Sequence, residues 1–326
     1  MQHLQPHDQE AFFSSEVSDT LSHQAALPHA SWQMHDAAYA THLSQLADGH
    51  LVIGYHDGLI KMKNAVSEKT FFATHSRLST LLALKDGQIL SNHANGKTYL
   101  WNKQNVRYTE KFTTGQMTSL AELPNGTIAM GVRNSNILLF DLETQQFITG
   151  LGAPSLHLSD SLMLLPSGEL LSCRYDTGSI YLWDLETKRR LTCFRTHADL
   201  YSTALLLDGK HIVTSHRDGN IHVWNIQQEK CVATLSDNST LIHAVAALPN
   251  GHLASGDAEG NIRIWHVFTE RCIAIISVKK MRANLPLSTY VNHLLLLSDT
   301  RLAYTTNHEA GIVSLACIQT ALLSRK

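Results

Sequence analysis

One strand–turn–strand phrase recurs along the chain, and this repetition constrains the fold more than any single motif does. The segments "RYDTGSIYLW" (174–183), "SHRDGNIHVW" (215–224) and "SGDAEGNIRIW" (255–265) are copies of one pattern. Each has a polar lead, an acid-and-glycine turn, an alternating run and a tryptophan. The turn position recurs at Gly58, Gly96, Ser135, Gly178, Gly219, Gly260 and Gly311. Seven units of about 40 residues fill nearly the whole chain. The last interval is the longest and carries an insertion around "VKKMRANLPLST" (278–289).

Every unit has the same internal order. A short apolar run such as "HAVAAL" (243–248) leads to a turn of the type LPNG, LPSG, LKDG, LADG or LLDG. A second run follows ("HLASG", 252–256), then the acid/Asn-Gly turn, a third run ("NIRIW", 261–265) and a fourth ("RCIAII", 271–276). Runs of this length and β-branched content, bounded by NG or DG, are strands joined by hairpins. Their mixture of alternating and continuous apolar stretches suits strands sandwiched between neighbouring sheets. Four antiparallel strands per unit, seven times over, predict an all-β, seven-bladed β-propeller. A single blade cannot cover both its faces, so the blades must stack in a ring.

The signature residues make the chain resemble the WD40-repeat family over roughly residues 30–320. Trp101, Trp183, Trp224 and Trp265 each close a third strand, with Phe140 in the same place. Asp141, Asp184, Asn102, Asn225 or His266 follows. In that family a buried His, Ser/Thr, Asp and Trp form a hydrogen-bonded tetrad within a blade. The resemblance assigns His197, Thr214, Asp218 and Trp224 to the fifth unit. The second takes His75, Ser91 and Trp101, with Asn95 in place of the acid. The first and last units depart most, Lys63 standing where a tryptophan is expected. A Ser/Thr–His–Asp set also describes a hydrolase triad. Here the set recurs from blade to blade, and an indole N–H consumes the hydroxyl, which is the pattern of buried polar satisfaction.

The predicted organisation is a tail at 1–27 and a propeller at 28–326. "HASWQM" (29–34), with Trp32, is the expected closing strand of the last blade, and "TALLS" (320–324) the alternative donor. The N-terminal stretch lacks the cationic start and apolar core of a secretory signal. No apolar run reaches the roughly 20 residues of a membrane helix, so the expected setting is cytoplasmic and no membrane partner is expected. Five scattered cysteines without a CxxC pair read as buried small hydrophobes in a reducing compartment.

Other chemistry finds little support. "NGKT" (95–98) lacks the earlier glycine and following helix of a phosphate loop and reads as a hairpin. The 20 histidines are scattered, so no metal and no cofactor is expected. A net charge of −2, with "ETKRR" and "KKMR" on opposite faces, does not make the joined basic stripe of a nucleic-acid binder.

The resemblance implies that proteins or peptides dock on the narrow face, around the central channel. Residues at the start of each first strand face that entrance, among them Tyr39, Arg77, Tyr201, His243 and Tyr290. The residue before each acid-turn position joins them, as Arg133, Asp176, Arg217 and Glu309. Amphipathic anchors of this kind suit interface hot spots, and the arginines suit an acidic or phosphorylated peptide. The expected function is therefore a non-catalytic scaffold or adaptor, monomeric by itself. A hydrolase- or lactonase-type propeller enzyme, acting in the channel, is the alternative. The LPNG, LPSG and LKDG turns further resemble WD40 proteins of intracellular bacteria, which implies an effector acting on host proteins in the host cytosol.

Overall fold

The computed structural model describes residues 40–64, 67–71, 76–105, 107–133, 137–152, 161–196, 200, 205–206, 208–236, 240–281, 289–298 and 301–315. Their strands form seven antiparallel sheets, each a consecutive run of the chain. Six sheets have four strands and the seventh has three among the described residues. Blade six shows the plan: Ile242–Leu248, His252–Asp257, Asn261–His266 and Arg271–Ser277, from the inner edge to the outer. Blade seven contributes Val291–Leu296, Arg301–Thr306 and Ala310–Ser314. Both candidate closing segments (29–34 and 320–324), Trp32 and the tail at 1–27 lie outside the described residues.

The turns are where the sequence writes them. "NGKT" joins the strands Ile89–His93 and Lys97–Asn102. Gly96 sits there at φ +82, where a Cβ would come within 3.0 Å of Gly115 Cα. Only glycine combines that backbone with that closeness.

The core is divided into layers. Seven clusters of buried apolar side chains lie one at each seam between adjacent blades. At the seam of blades two and three, for example, Leu84 and Leu90 meet Met117, Ile128, Met130 and Phe140. At the seam of blades seven and one, Leu297, Ala303 and Ile312 meet Ala40, Leu43 and Ile53. Each second strand is therefore buried on both faces; Leu51–Tyr55, Ile89–His93 and Leu170–Arg174 are buried throughout. This is why these strands read as near-continuous apolar runs.

The inner strands mesh through size complementarity. A Cβ on Gly54 would lie 2.2 Å from Leu78 Cδ2 of the next blade, and one on Gly256 would lie 2.5 Å from Val291 Cγ1. The register puts Asn92 and Ser215 at the same position in blades two and five. There the contact is a hydrogen bond: Met117 N–H donates to Asn92 Oδ1 (2.9 Å) and Ser215 Oγ donates to Ile242 O (3.3 Å).

Candidate interaction surface

The inside of each blade sets the geometry of its rim. In four blades a third-strand tryptophan donates its indole N–H to a second-strand hydroxyl. The pairs are Trp101–Ser91 (2.8 Å), Trp183–Ser172 (2.9 Å), Trp224–Thr214 (3.0 Å) and Trp265–Ser255 (2.9 Å). The hydroxyl then has one proton left to give. In blades two and five it lies against an imidazole: Ser91 Oγ is 3.1 Å from His93 Nε2, and Thr214 Oγ1 is 2.9 Å from His216 Nε2. A hydroxyl spent in this way fixes a strand and is not available as a nucleophile.

The expected histidines, His75 and His197, lie outside the described residues; among the described residues the imidazole beside the hydroxyl comes from two positions further along the same strand. Strand periodicity puts residues i and i+2 on one face, so Ser-x-His and Thr-x-His were the signal. Asp218 is not a buried member of the set. It is exposed, and its carboxylate holds its own turn through Asn220 N (2.9 Å) and Asn220 Nδ2 (2.7 Å). Asn95 does the same for Lys97 N (3.1 Å). A short side chain at the tip of a tight turn reaches the amide two residues on more readily than the blade interior.

The same strand ends lead to the entrance. In blades two, three and six one backbone bond recurs: Ala94 N to Arg77 O, Arg133 N to Gln116 O, and Ala258 N to Leu241 O. It holds the residue before the first strand beside the residue entering the second turn. Arg133 adds a side-chain bond from Nη1 to Gln116 Oε1 (3.2 Å). Blade seven pairs Tyr290 N with Asn307 Oδ1 instead (3.0 Å). Counting from the second-strand position that faces the third-strand aromatic (Ser172 in blade four, Tyr304 by register in blade seven), the rim position is Tyr175 in blade four and Asn307 in blade seven, not Asp176 and Glu309. The turns of these two blades differ in length from the others, so counting back from the glycine misplaces the residue. Tyr175 and Asn307 were readable only by counting forward from the strand.

Asp176 is exposed, but Arg174 grips its carboxylate with two bonds, Nη2–Oδ2 at 2.6 Å and Nε–Oδ1 at 3.2 Å. Glu309 accepts from the Tyr304 hydroxyl (3.1 Å). Arg77, Arg133 and Arg217 are exposed. His243 and Tyr290 meet across the seam of blades six and seven, with ring centroids 5.1 Å apart and planes tilted by 32°. Burial lowers the His243 pKa against the opposing pull of Asp257. Tyr39 and Tyr201 lie outside the described residues.

A second histidine pair bridges blades seven and one. The rings of His42 and His293 are 5.9 Å apart. Burial pushes His42 down to about 3, helped by His293 and Arg77 and opposed by a bond to the Ser79 backbone. Burial alone pushes His293 down to about 4. Among the described residues no group of three or more His, Cys, Asp or Glu side chains is arranged to hold a metal ion. No helix there is long and apolar enough to cross a membrane.

Seven small antiparallel sheets in a ring, latched by Trp–Ser/Thr bonds, define the class as a seven-bladed β-propeller. The family described as WD domain, G-beta repeat matches residues 188–225 and 229–266, so the chain carries WD40 repeats within its propeller. Each matched stretch starts before one blade's outer strand and ends on the next blade's third strand. The sequence repeat is therefore offset by one strand from the blade and ties neighbouring blades together. No curated protein matches the chain in sequence.

Proposed function

We propose that the protein is a non-catalytic adaptor that docks a protein or peptide partner on the narrow face, with Arg77, Arg133 and Arg217 receiving carboxylate or phosphate groups. Propellers of this family commonly mediate protein interactions. The observation that carries the choice of ligand is that Arg77, Arg133 and Arg217 are all exposed at these positions, while the carboxylate of Asp176 in blade four is paired with Arg174. Arginine's planar fork suits bidentate recognition of such anions. His243 and Tyr290 add an amphipathic platform at the seam of blades six and seven, of the kind found at interface hot spots. The non-catalytic reading is supported by the Ser and Thr hydroxyls, which are taken up by indoles and imidazoles. In the bacterial setting that the turn sequences favour, the partner is a host protein.

An array of acidic and phosphorylated peptides tests this reading. Captured peptides should lose binding when Arg133→Glu and Arg217→Glu are combined in a protein whose melting is unchanged. Capture that survives the charge reversal removes the arginines from the site and the anionic ligand from the proposal.

A further inference from the structure

We propose that the outer edges of blades four and five form a docking surface for an anionic lipid membrane, with Lys188, Arg189 and Arg190 meeting the headgroups and Leu191 and Val232 entering the interface. The stretch "KRRLTCFR" (188–195) carries four cations and no acid. It spans the end of a turn and the outer strand of blade four, Arg190–Arg195. Lys188, Arg189, Arg190 and Arg195 are exposed, as is Lys230 on the neighbouring outer strand, Lys230–Leu235. None of the five enters an ion pair among the described residues, whereas Lys61, Lys63, Lys97 and Lys103 all pair with carboxylates. Arg190 lies over the Tyr181 ring, 5.7 Å from its centroid, which holds the charge on this edge. Of the acids in the two adjoining turns, Asp184 accepts from Glu186 N and Thr187 N, both at 2.8 Å. Glu229 accepts from Thr192 Oγ1, and Glu186 is exposed. The edge therefore stays cationic.

The same edge turns two aliphatic side chains outward. Beside the third-strand tryptophan, the outer strands of blades four and five each carry one residue more than the strand they pair with. That residue is Leu191 in blade four and Val232 in blade five. A bulge of this kind re-aims a side chain away from the regular face of the sheet. Leu191 is 51% exposed and Val232 42%. Blade six has the same bulge at Ile273, but that side chain packs against the seam layer instead. The bond from Thr192 to Glu229 ties the two outer edges together, so the bulged residues are presented as a pair.

Unpaired cations interleaved with outward aliphatic side chains suit the boundary of an anionic bilayer. The apolar groups leave water among the headgroups, and the cations are drawn to the negative surface. A single-stranded nucleic acid would call for free aromatic faces on which bases stack. The ring on this edge, Tyr181, is already covered by Arg190. Peripheral docking needs no spanning segment, so it agrees with described helices too short to cross a membrane. No entrance arginine takes part, and the surface is separate from the proposed partner site.

The test is sedimentation of the intact protein with phosphatidylcholine vesicles, either pure or containing about one-third phosphatidylserine. The protein should sediment with the anionic vesicles and not with the neutral ones, and added salt should weaken its binding. Bound vesicles should shield the exposed Cys193 and Cys231 from a water-soluble maleimide, since both thiols lie on the docking strands. Combining Arg189→Gln with Arg190→Gln should weaken binding about thirtyfold. Combining Leu191→Ser with Val232→Ser should weaken it about tenfold. An entrance variant (Arg77→Gln, Arg133→Gln, Arg217→Gln) should bind vesicles as wild type does. Failure to bind anionic vesicles, undiminished labelling of both thiols in the bound state, or loss of binding in the entrance variant overturns the proposal. Capture of a single-stranded RNA in place of vesicles overturns it too and gives the cations to a nucleic acid. The lipid, salt and labelling readouts need no variant, so a chain that fails to fold leaves the test intact.

Discussion

Blades two and three are built on one backbone plan with opposite chemistry. Blade two places Ser91, Asn92, His93 and Trp101 where blade three places Met130, Gly131, Val132 and Phe140. The paired positions Trp101 and Phe140 are equally buried, at 1% and 2% exposure, as are Ser91 and Met130, both at 0%. Blade two closes on hydrogen bonds and blade three on apolar contacts, including the Phe140–Phe147 pair at 5.0 Å. The difference teaches that the blade requires a filled, fully satisfied layer and not a particular tetrad. A polar member is tolerated only when its partners come with it.

The largest expected effect attacks what the two blades share. Trp101→Ala and Phe140→Ala should each cost about 3–5 kcal/mol, because both open a large cavity in a seam layer. Denaturant titration measures this, and a small loss at either site would mean the layers are loosely packed. Exchanging single members between the blades comes next. Ser91→Ala leaves the indole of Trp101 and the ring of His93 without their shared hydroxyl and should cost about 1–3 kcal/mol. Met130→Ser should be worse than Ser91→Ala, since it removes apolar volume and buries a lone hydroxyl. Adding Phe140→Trp to Met130→Ser should restore about 1 kcal/mol by double-mutant cycle. A coupling of zero would mean that the latch is decoration.

Asn92→Ala should cost about 2 kcal/mol, since the amide accepts from Met117 N of the next blade and donates to Thr98 Oγ1 (3.0 Å) of its own. Blade three, with Gly131 at this position, has no such bond to lose.

The last effect is a pH dependence at the seam of blades seven and one. His42 and His293 have folded pKa values of about 3 and about 4, below the ordinary 6.5. The unfolded chain therefore binds more protons in that range. Their contribution is complete above pH 6.5 and is lost as pH falls toward 4 and then 3. Thermal melting between pH 7 and pH 4 should show the decline, and His293→Gln should flatten it. An unchanged slope would exclude the pair as its source.

The fold was legible because a forty-residue period with hairpin turns leaves few alternatives, and it carried the strands, the seams and the Trp–Ser/Thr pairs. The contact of the hydroxyls with His93 and His216 was legible in the strand's own period, which the family pattern does not use. The rim positions in blades four and seven slipped because hairpin length varies there while the strand register does not. The meeting of His243 with Tyr290, and of His42 with His293, joins distant units across seams and leaves no local trace in the chain. Tyr39, Tyr201, His75 and His197 fall outside the described residues, so the structure adds nothing to their reading.

The most direct test of the account is partner capture from whole-cell lysate with three folded proteins. These are wild type, an entrance variant (Arg77→Glu, Arg133→Glu, Arg217→Glu) and an outer-edge variant (Leu191→Ser, Val232→Ser) altered at two exposed apolar residues of the outer strands. The account predicts a partner held by wild type and by the outer-edge variant and lost from the entrance variant. A partner retained by the entrance variant and lost from the outer-edge variant would contradict it and move the docking site to the outer edge of the blades.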